Sequence, residues 1–205
     1  MCLYGPPGTG KSAFGRYLAE TLDRPLITRR ASDIQSPYLG IAEQNIARMF
    51  RDAAADNAVL LLDEADTFLQ DRKGAIRSWE VSQVNEMLTQ MEAFDGIFIA
   101  STNLMDQLDS AALRRFDLKV RFDYLRPSHA WALLVRHLVA LGLAPPEPEL
   151  GSRMSRLDRL APGDFAAVAR QHRFRPLQSA VDWVSALEAE VMLKRQGAAL
   201  PIGFV

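Results

Sequence analysis

The sequence predicts an α/β fold: helices around a parallel sheet over residues 1–126, then a small all-helical domain over 127–205. Three observations predict it. Short apolar runs alternate with helical patterns from residue 1 to about 123. A Gly/Pro-rich segment separates the first run from the first helix. From about residue 127 the strand patterns stop and only helical ones continue.

The expected strands are Met1–Tyr4, Pro25–Thr28, Ala58–Leu62, Ile97–Ser101 and Leu118–Phe122. Four apolar residues in a row, Val59 to Leu62, suit a strand buried on both faces. Leu118–Phe122 alternates apolar and basic residues, as an edge strand with one wet face does. The helices expected between them are Lys11–Leu22, Ile41–Asp56, Ser78–Phe94 and Ser110–Arg115. Val84, Met87, Leu88 and Met91 recur at i, i+3, i+4 and i+7 and mark one buried stripe. In the second domain Pro127-Ser128 opens a helix whose stripe is Trp131, Leu134, Val135, Leu138 and Leu141. Pro145-Pro146-Glu147-Pro148 is a loop. Further helices are expected over Ser152–Leu160, Gly163–His172 and Leu177–Gln196, the last closed by Gly197.

Composition narrows the classes. With 48% apolar and 24% charged residues the chain can bury a core, and a formal net charge of −1 makes a dedicated polyanion binder unexpected. Cys2 is the single cysteine, so a disulfide within the chain and a cysteine-rich metal site are both excluded. No apolar run approaches a membrane span and no leader pattern precedes the glycines, which gives a cytoplasmic expectation with no membrane partner. Met1–Tyr4 is short for a strand, so the chain is expected to be a domain fragment with an upstream part removed. Arginine outnumbers lysine 20 to 4, an association with GC-rich bacterial sources.

The segment Gly5-Pro6-Pro7-Gly8-Thr9-Gly10-Lys11-Ser12 matches G-x-x-x-x-G-K-[ST] between a strand and a helix. Glycines let main-chain amides turn toward phosphate, and the helix start adds positive potential. Pro7, Gly8, Thr9 and Gly10 would cradle ATP, Lys11 would reach its β- and γ-phosphates, and the Ser12 hydroxyl would ligate Mg2+. The apolar run ending at Leu62 leads into Asp63-Glu64-Ala65-Asp66, which puts carboxylates at the carboxyl edge of the sheet, where such folds bind ligands. Asp63 would hold Mg2+ through water, and Glu64 would orient or deprotonate the attacking water.

Asn103 follows the run Ile97-Phe98-Ile99-Ala100 and then Ser101-Thr102. It is either an amide that senses the γ-phosphate or a turn asparagine. Arg114-Arg115 are either a solvated pair or a device that reaches a phosphate, as arginine fingers do. His129, His137 and His172 have no metal-ligand spacing and read as structural.

Together the phosphate loop, Asp63-Glu64, Asn103 and Leu113-Arg114-Arg115-Phe116-Asp117 resemble the AAA+ ATPases, specifically the AAA branch of protein remodellers, over essentially the whole chain. The resemblance implies a P-loop NTPase fold with a five-stranded parallel sheet of order 5-1-4-3-2 and a C-terminal helical lid. It also implies ATP and Mg2+ as cofactors and a hexameric ring with nucleotide between subunits. Tyr38-Leu39-Gly40 resembles the aromatic–hydrophobic–Gly pore loop that grips polypeptide, and Arg72-Lys73-Gly74 a second pore-facing loop. Arg114 and Arg115 resemble the paired fingers that act on a neighbour's ATP, although the family separates them by two residues and here they are adjacent. Gly163 sits where the lid helix begins and would contact base or ribose; no arginine directly follows it.

The function so implied is ATP hydrolysis driving the remodelling or threading of a protein in a ring. A slow ATP-dependent assembly switch and a nucleic-acid motor or loader are the alternatives, the latter disfavoured by the neutral charge and the Tyr38 loop.

Overall fold

The structure, a computed structural model, describes residues 1–38, 40–70 and 78–197, with side chains described except at 78–80 and 196–197. It divides into two compact units, one of residues 1–6 and 11–122 and one of residues 7–10 and 123 onward.

The first unit is built on five parallel strands: β1 (Cys2–Tyr4), β2 (Leu26–Arg30), β3 (Val59–Asp63), β4 (Ile97–Thr102) and β5 (Lys119–Arg121). Their spatial order is β2-β3-β4-β1-β5, the expected 5-1-4-3-2 read from the other edge. Its helices are α1 (Lys11–Thr21), a one-turn α2 (Ala31–Ile34), α3 (Ile41–Ala55), α4 (Ser78–Ala93) and α5 (Ser110–Arg115).

The period-2 geometry of strands divides the core in two. Leu3, Val59, Leu61 and Ile99 join Ala19 of α1 on one face, while Cys2, Leu60, Leu62, Phe98 and Ala100 join α3, α4 and α5 on the other. Val59 through Leu62 are each at most 1% exposed, so the apolar run is buried on both faces. Such burial contributes roughly 1.5–3 kcal/mol per side chain. Gly15 lets α1 approach closely, since a β-carbon there would lie 3.2 Å from a Leu61 methyl. In α4, Val84, Met87 and Leu88 are buried and Met91 packs beside them, as the stripe predicts. The edge strand β5 exposes Lys119 and Arg121 and half-buries Val120.

Strand β2 differs from expectation. It begins after Pro25, which has no N–H to donate but whose carbonyl accepts from Val59 at 2.8 Å, and it runs on through Arg29 and Arg30 to pair with Asp63. Polar residues on an edge strand hide its length from an apolar count. Helix α2 follows directly, with the Asp33 carboxylate accepting from the Arg30 N–H at 2.8 Å.

The second unit holds α6 (Pro127–Ala140), α7 (Leu150–Ser155), α8 (Pro162–His172) and α9 (Ala180–Gly197). Its core is Leu134 and Leu138 of α6, Leu150 and Met154 of α7, Phe165 and Val168 of α8, and Trp183, Val184, Leu187 and Val191 of α9. Two helices correct the expected bounds. Helix α7 occupies Leu150–Ser155, not 152–160; Leu150 and Met154 anchor it at i, i+4 spacing, and i to i−3 bonds from Arg156 and Leu157 tighten and end it. Helix α9 starts at Ala180, three residues late, because Ser179 and Asp182 form a reciprocal cap. The Asp182 N–H donates to Ser179 Oγ at 3.2 Å, and the Asp182 carboxylate accepts from the Ser179 and Gln178 amides at 3.0 Å. Gly197 is the last residue of the helix rather than its cap.

Two of the three histidines serve packing, and His129 is exposed. His137 stacks between Phe165 and Trp183, with ring centroids 5.6 and 5.3 Å away, and His172 Nδ1 accepts from the Leu177 N–H at 3.0 Å. Among the described residues no helix is long and apolar enough to cross a membrane.

Candidate active site

The turn between β1 and α1 needs glycine at its first position. Gly5 has φ +134°, and a β-carbon there would lie 1.9 Å from the Phe122 carbonyl oxygen. Gly8 (φ +75°) and Gly10 (φ +100°) also lie in the region L side chains avoid, and no atom within 4 Å blocks the space beside Gly10. The loop therefore keeps an open backbone surface where a bulky ligand can approach.

Lys11 opens α1 and is only 7% exposed. Its ammonium donates to the Gly5 carbonyl at 2.8 Å, the Pro6 carbonyl at 2.9 Å and Asn103 Oδ1 at 2.7 Å. Burial lowers its pKa, while Asp63 and Asp66 pull it back up. All three direct partners are neutral, so among the described residues this buried cation has no contacting anion. A triphosphate is the kind of group that such a cation, beside an open glycine turn, accepts.

One helix position on, Ser12 Oγ donates to Asp63 Oδ2 at 2.8 Å. A hydroxyl and a carboxylate oxygen side by side are hard donors, suited to Mg2+ that also keeps water and phosphate oxygens. The other carboxylate oxygen, Oδ1, accepts from Ser101 Oγ. Thr102 Oγ1 donates to Asp66 Oδ1 at 2.8 Å and accepts from the Leu104 N–H at 2.9 Å. Parallel register brings these groups to one edge, since Tyr4 pairs with Thr102 and Leu62 with Ala100.

Glu64 lies between the two aspartates, exposed and without a side-chain hydrogen bond among the described residues. Its backbone is left-handed, φ 58° and ψ 45°, a conformation that costs a non-glycine residue roughly 1–2 kcal/mol. Rigid neighbours hold it: β3 before it, and after it the short 3-10 turn Ala65–Thr67 anchored by Ala65, Phe68 and Leu69, all 0% exposed. The structure thus bonds Lys11 to Asn103 and Ser12 to Asp63, with Glu64 next in the chain. Ser101, bonded to Asp63, and the pair Thr102–Asp66 join them at the same sheet edge without having been singled out from sequence. Two hydroxyls directly after a buried apolar strand and before Asn103 were the available signal.

Other expected residues lie apart from it. Helix α5 is capped by the Asp109 carboxylate, which accepts from the Ala111 N–H at 2.8 Å. Arg115 donates to the Ala111 carbonyl and to Glu92 Oε2, each at 3.1 Å, and its Nε is buried without a partner among the described residues. Arg114 is exposed and has no ion pair among the described residues. Neither arginine contacts Lys11, Asp63, Glu64 or Asn103. Tyr38 is 74% exposed, and Gly40 begins α3 with φ +80° and nothing within 4 Å of its missing β-carbon. Leu39 and the segment Arg72-Lys73-Gly74 lie outside the described residues.

Within the second unit the Gly163 N–H donates to the Gly8 carbonyl at 2.8 Å, and a β-carbon on Gly163 would lie 2.9 Å from Gly8 Cα. Asp164 next to it was not anticipated. It is 4% exposed, and its carboxylate accepts from the Ala161 N–H at 2.8 Å and from the Lys194 ammonium at 2.6 Å. That bond set caps α8 and fixes the start of the helix that carries Gly163.

Residues 1–124 match the model of the ATPase family associated with various cellular activities (AAA). The chain is 32% identical over 191 residues to the 26S proteasome regulatory subunit 6B homolog of Saccharomyces cerevisiae, covering 87% of this chain and 44% of that protein. It is 30% identical over 127 residues to the ATP-dependent zinc metalloprotease FtsH of Ureaplasma parvum (58% and 18% covered) and 26% identical over 202 residues to spastin of Drosophila melanogaster (94% and 26%). It therefore spans less than half the length of these curated relatives. With a phosphate-loop geometry of this kind and a family match across more than half its length, the chain belongs to the AAA family of ATPases, whose members use ATP with Mg2+.

Proposed function

We propose that this chain is the motor domain of a ring in which Mg·ATP hydrolysis drives the remodelling or threading of a protein substrate. The observation that carries the hydrolytic part is the two hydrogen-bonded pairs Lys11–Asn103 and Ser12–Asp63, with the exposed Glu64 next to Asp63 in the chain. In this reading residues 1–126 form the nucleotide-binding domain and 127–205 the smaller helical domain.

The amides of Pro7 to Gly10 that are present, those of Gly8, Thr9 and Gly10, receive phosphate oxygens, and Pro7 shapes the turn. Lys11 exchanges its neutral oxygen partners for the β- and γ-phosphates. Ser12 and, through water, Asp63 hold Mg2+, which when bound neutralises charge on the phosphate oxygens. Glu64 orients or deprotonates the attacking water, and Asn103, released from Lys11, hydrogen-bonds the γ-phosphate or that water. Gly163, held against Gly8, brings the start of α8 to the base or ribose.

Between subunits, Arg114 is the better placed finger because its guanidinium is uncommitted, whereas Arg115 is tied to Glu92 and Ala111. Tyr38, Leu39 and Gly40 grip the polypeptide; the 74% exposure of Tyr38 supports this over a packing role. Two relatives, named as a proteasome regulatory subunit and an ATP-dependent metalloprotease, favour a protein substrate. The single cysteine fits a reducing cytoplasm, and the arginine bias a bacterial source.

The test is phosphate release against protein concentration for wild type, Lys11→Ala and Arg114→Ala. Specific activity should rise with concentration, vanish in Lys11→Ala and lose its concentration dependence in Arg114→Ala. Turnover that is independent of concentration and indifferent to Arg114→Ala contradicts the ring. Saturated Mg·ATP binding with scarcely any release at all concentrations would favour the assembly switch instead. Tyr38→Ala should lose remodelling of a protein substrate.

A further inference from the structure

We propose that Thr102 is a positioning residue whose single hydroxyl sets the spacing between Glu64 and Asn103. The inference rests on the hydrolytic reading of those two residues and adds to it a part that sequence did not suggest.

The geometry is specific. Thr102 Oγ1 donates to Asp66 Oδ1 at 2.8 Å and accepts from the Leu104 N–H at 2.9 Å. The first bond fixes the turn just after Glu64, and the second closes the turn in which Asn103 sits. One oxygen atom therefore joins the loop at the tip of β3 to the loop at the tip of β4. Its own position is fixed, because Thr102 is 1% exposed, pairs in register with Tyr4 of β1 and closes β4. Ser101, also 1% exposed, does the matching work on the other side of Glu64 through its bond to Asp63.

Glu64 needs such support. Its side chain has no bond of its own among the described residues, and its left-handed backbone persists only where its flanks are held. Asn103 is likewise exposed, and the Lys11 ammonium is its one side-chain partner among the described residues. Of the two groups that must meet one water molecule, Glu64 is free at its tip and Asn103 is held only by a lysine that a phosphate would take. Both therefore depend on their roots, which are joined through Thr102. Loss of the hydroxyl leaves phosphate binding to the glycine loop, Lys11 and Ser12 but lets the two tips drift. Errors on the order of 1 Å in such placement cost about a hundredfold in rate.

The experiment compares Thr102→Val, Thr102→Ser, Asp66→Ala and the double variant Thr102→Val/Asp66→Ala with wild type and Glu64→Gln. Calorimetry with Mg·ATP should give affinities within about threefold of wild type for all Thr102 and Asp66 variants. Turnover at saturating ATP should fall about a hundredfold in Thr102→Val and return to within about threefold in Thr102→Ser. The double variant should be no slower than the slower single, because both remove one link. In nucleotide-free protein, exchange of the Leu104 amide should quicken about tenfold or more in Thr102→Val and not in Thr102→Ser; this readout stands without turnover. Full activity of Thr102→Val beside an inactive Glu64→Gln overturns the inference and spares the hydrolytic reading. Normal turnover by Glu64→Gln removes that reading itself. Loss of ATP affinity in Thr102→Val, additive losses in the double variant, or an unchanged Leu104 amide each overturn the positioning role.

Discussion

The Lys11 ammonium donates to Asn103 Oδ1 at 2.7 Å, across 92 residues of sequence, and so ties the start of α1 to the tip of β4. Its other partners are two main-chain carbonyls, and among the described residues no carboxylate is bonded to it. The lysine is stored among dipoles, an arrangement that suits binding an anion better than it suits stability.

Lys11→Met tests that trade. Replacing a buried ammonium bonded only to neutral oxygens by an apolar side chain of similar length should leave nucleotide-free protein as stable or raise it by roughly 1–2 kcal/mol. For a chain this size that is a rise of about 2–8 °C in melting temperature. The same variant should lose all thermal stabilisation by Mg·ATP. Scanning calorimetry with and without nucleotide reads both; a lower melting temperature would mean that the lysine serves the fold.

Arg114 and Arg115 should separate. Arg114→Ala removes an exposed, uncommitted side chain and should change unfolding free energy by less than about 0.5 kcal/mol. Arg115→Ala removes bonds to Ala111 and Glu92 and should cost about 1 kcal/mol. Urea denaturation of the two variants checks the contrast. Equal stability losses would contradict the distinct roles.

Gly163→Ala should press a methyl group against Gly8 Cα, which a β-carbon there would approach to 2.9 Å. Because the backbone of Gly163 is otherwise ordinary, the helix should survive while the glycine loop is displaced. We expect Mg·ATP affinity to fall about tenfold with the circular dichroism spectrum unchanged. Unaltered affinity would show that the loop tolerates the shift.

His137 gives the second unit a pH dependence. Burial between Phe165 and Trp183 is the main cause that lowers its pKa, with the charge of Arg136 adding to it. The folded value lies below the unfolded one of about 6.5, so the fold favours the neutral ring. Its contribution is present in full above about pH 6.5 and is lost as pH falls through that value toward the folded pKa. Urea midpoints should therefore drop between about pH 7.5 and 5.5, and His137→Phe should flatten that part of the profile. An equal drop in His137→Phe would assign the effect elsewhere.

What sequence could show follows from range. Gly5 to Ser12 and the runs at Val59 and Ile97 are local patterns, each with one strong physical meaning, and the structure builds the elements they imply. The end of β2 was hidden because Arg29 and Arg30 look like a loop until an edge strand is known to lie there. The start of α9 was legible in Ser179 and Asp182, whose spacing is a capping signal that the apolar count overrode. Thr102 and Asp66 could not be paired from sequence, since their contact depends on the register of parallel strands 36 residues apart. The different commitments of Arg114 and Arg115 likewise depend on Glu92, which only packing of α4 near α5 reveals.

In the proposed mechanism Glu64 acts on water beside a nucleotide held by Lys11, Ser12 and Asp63. The most direct test is calorimetry with Mg·ATP and phosphate release, measured together on wild type and Glu64→Gln. In the variant, affinity should stay within about threefold of wild type while turnover falls by about a hundredfold or more. Phosphate release at the wild-type rate by Glu64→Gln, or no binding heat from wild type, would contradict it.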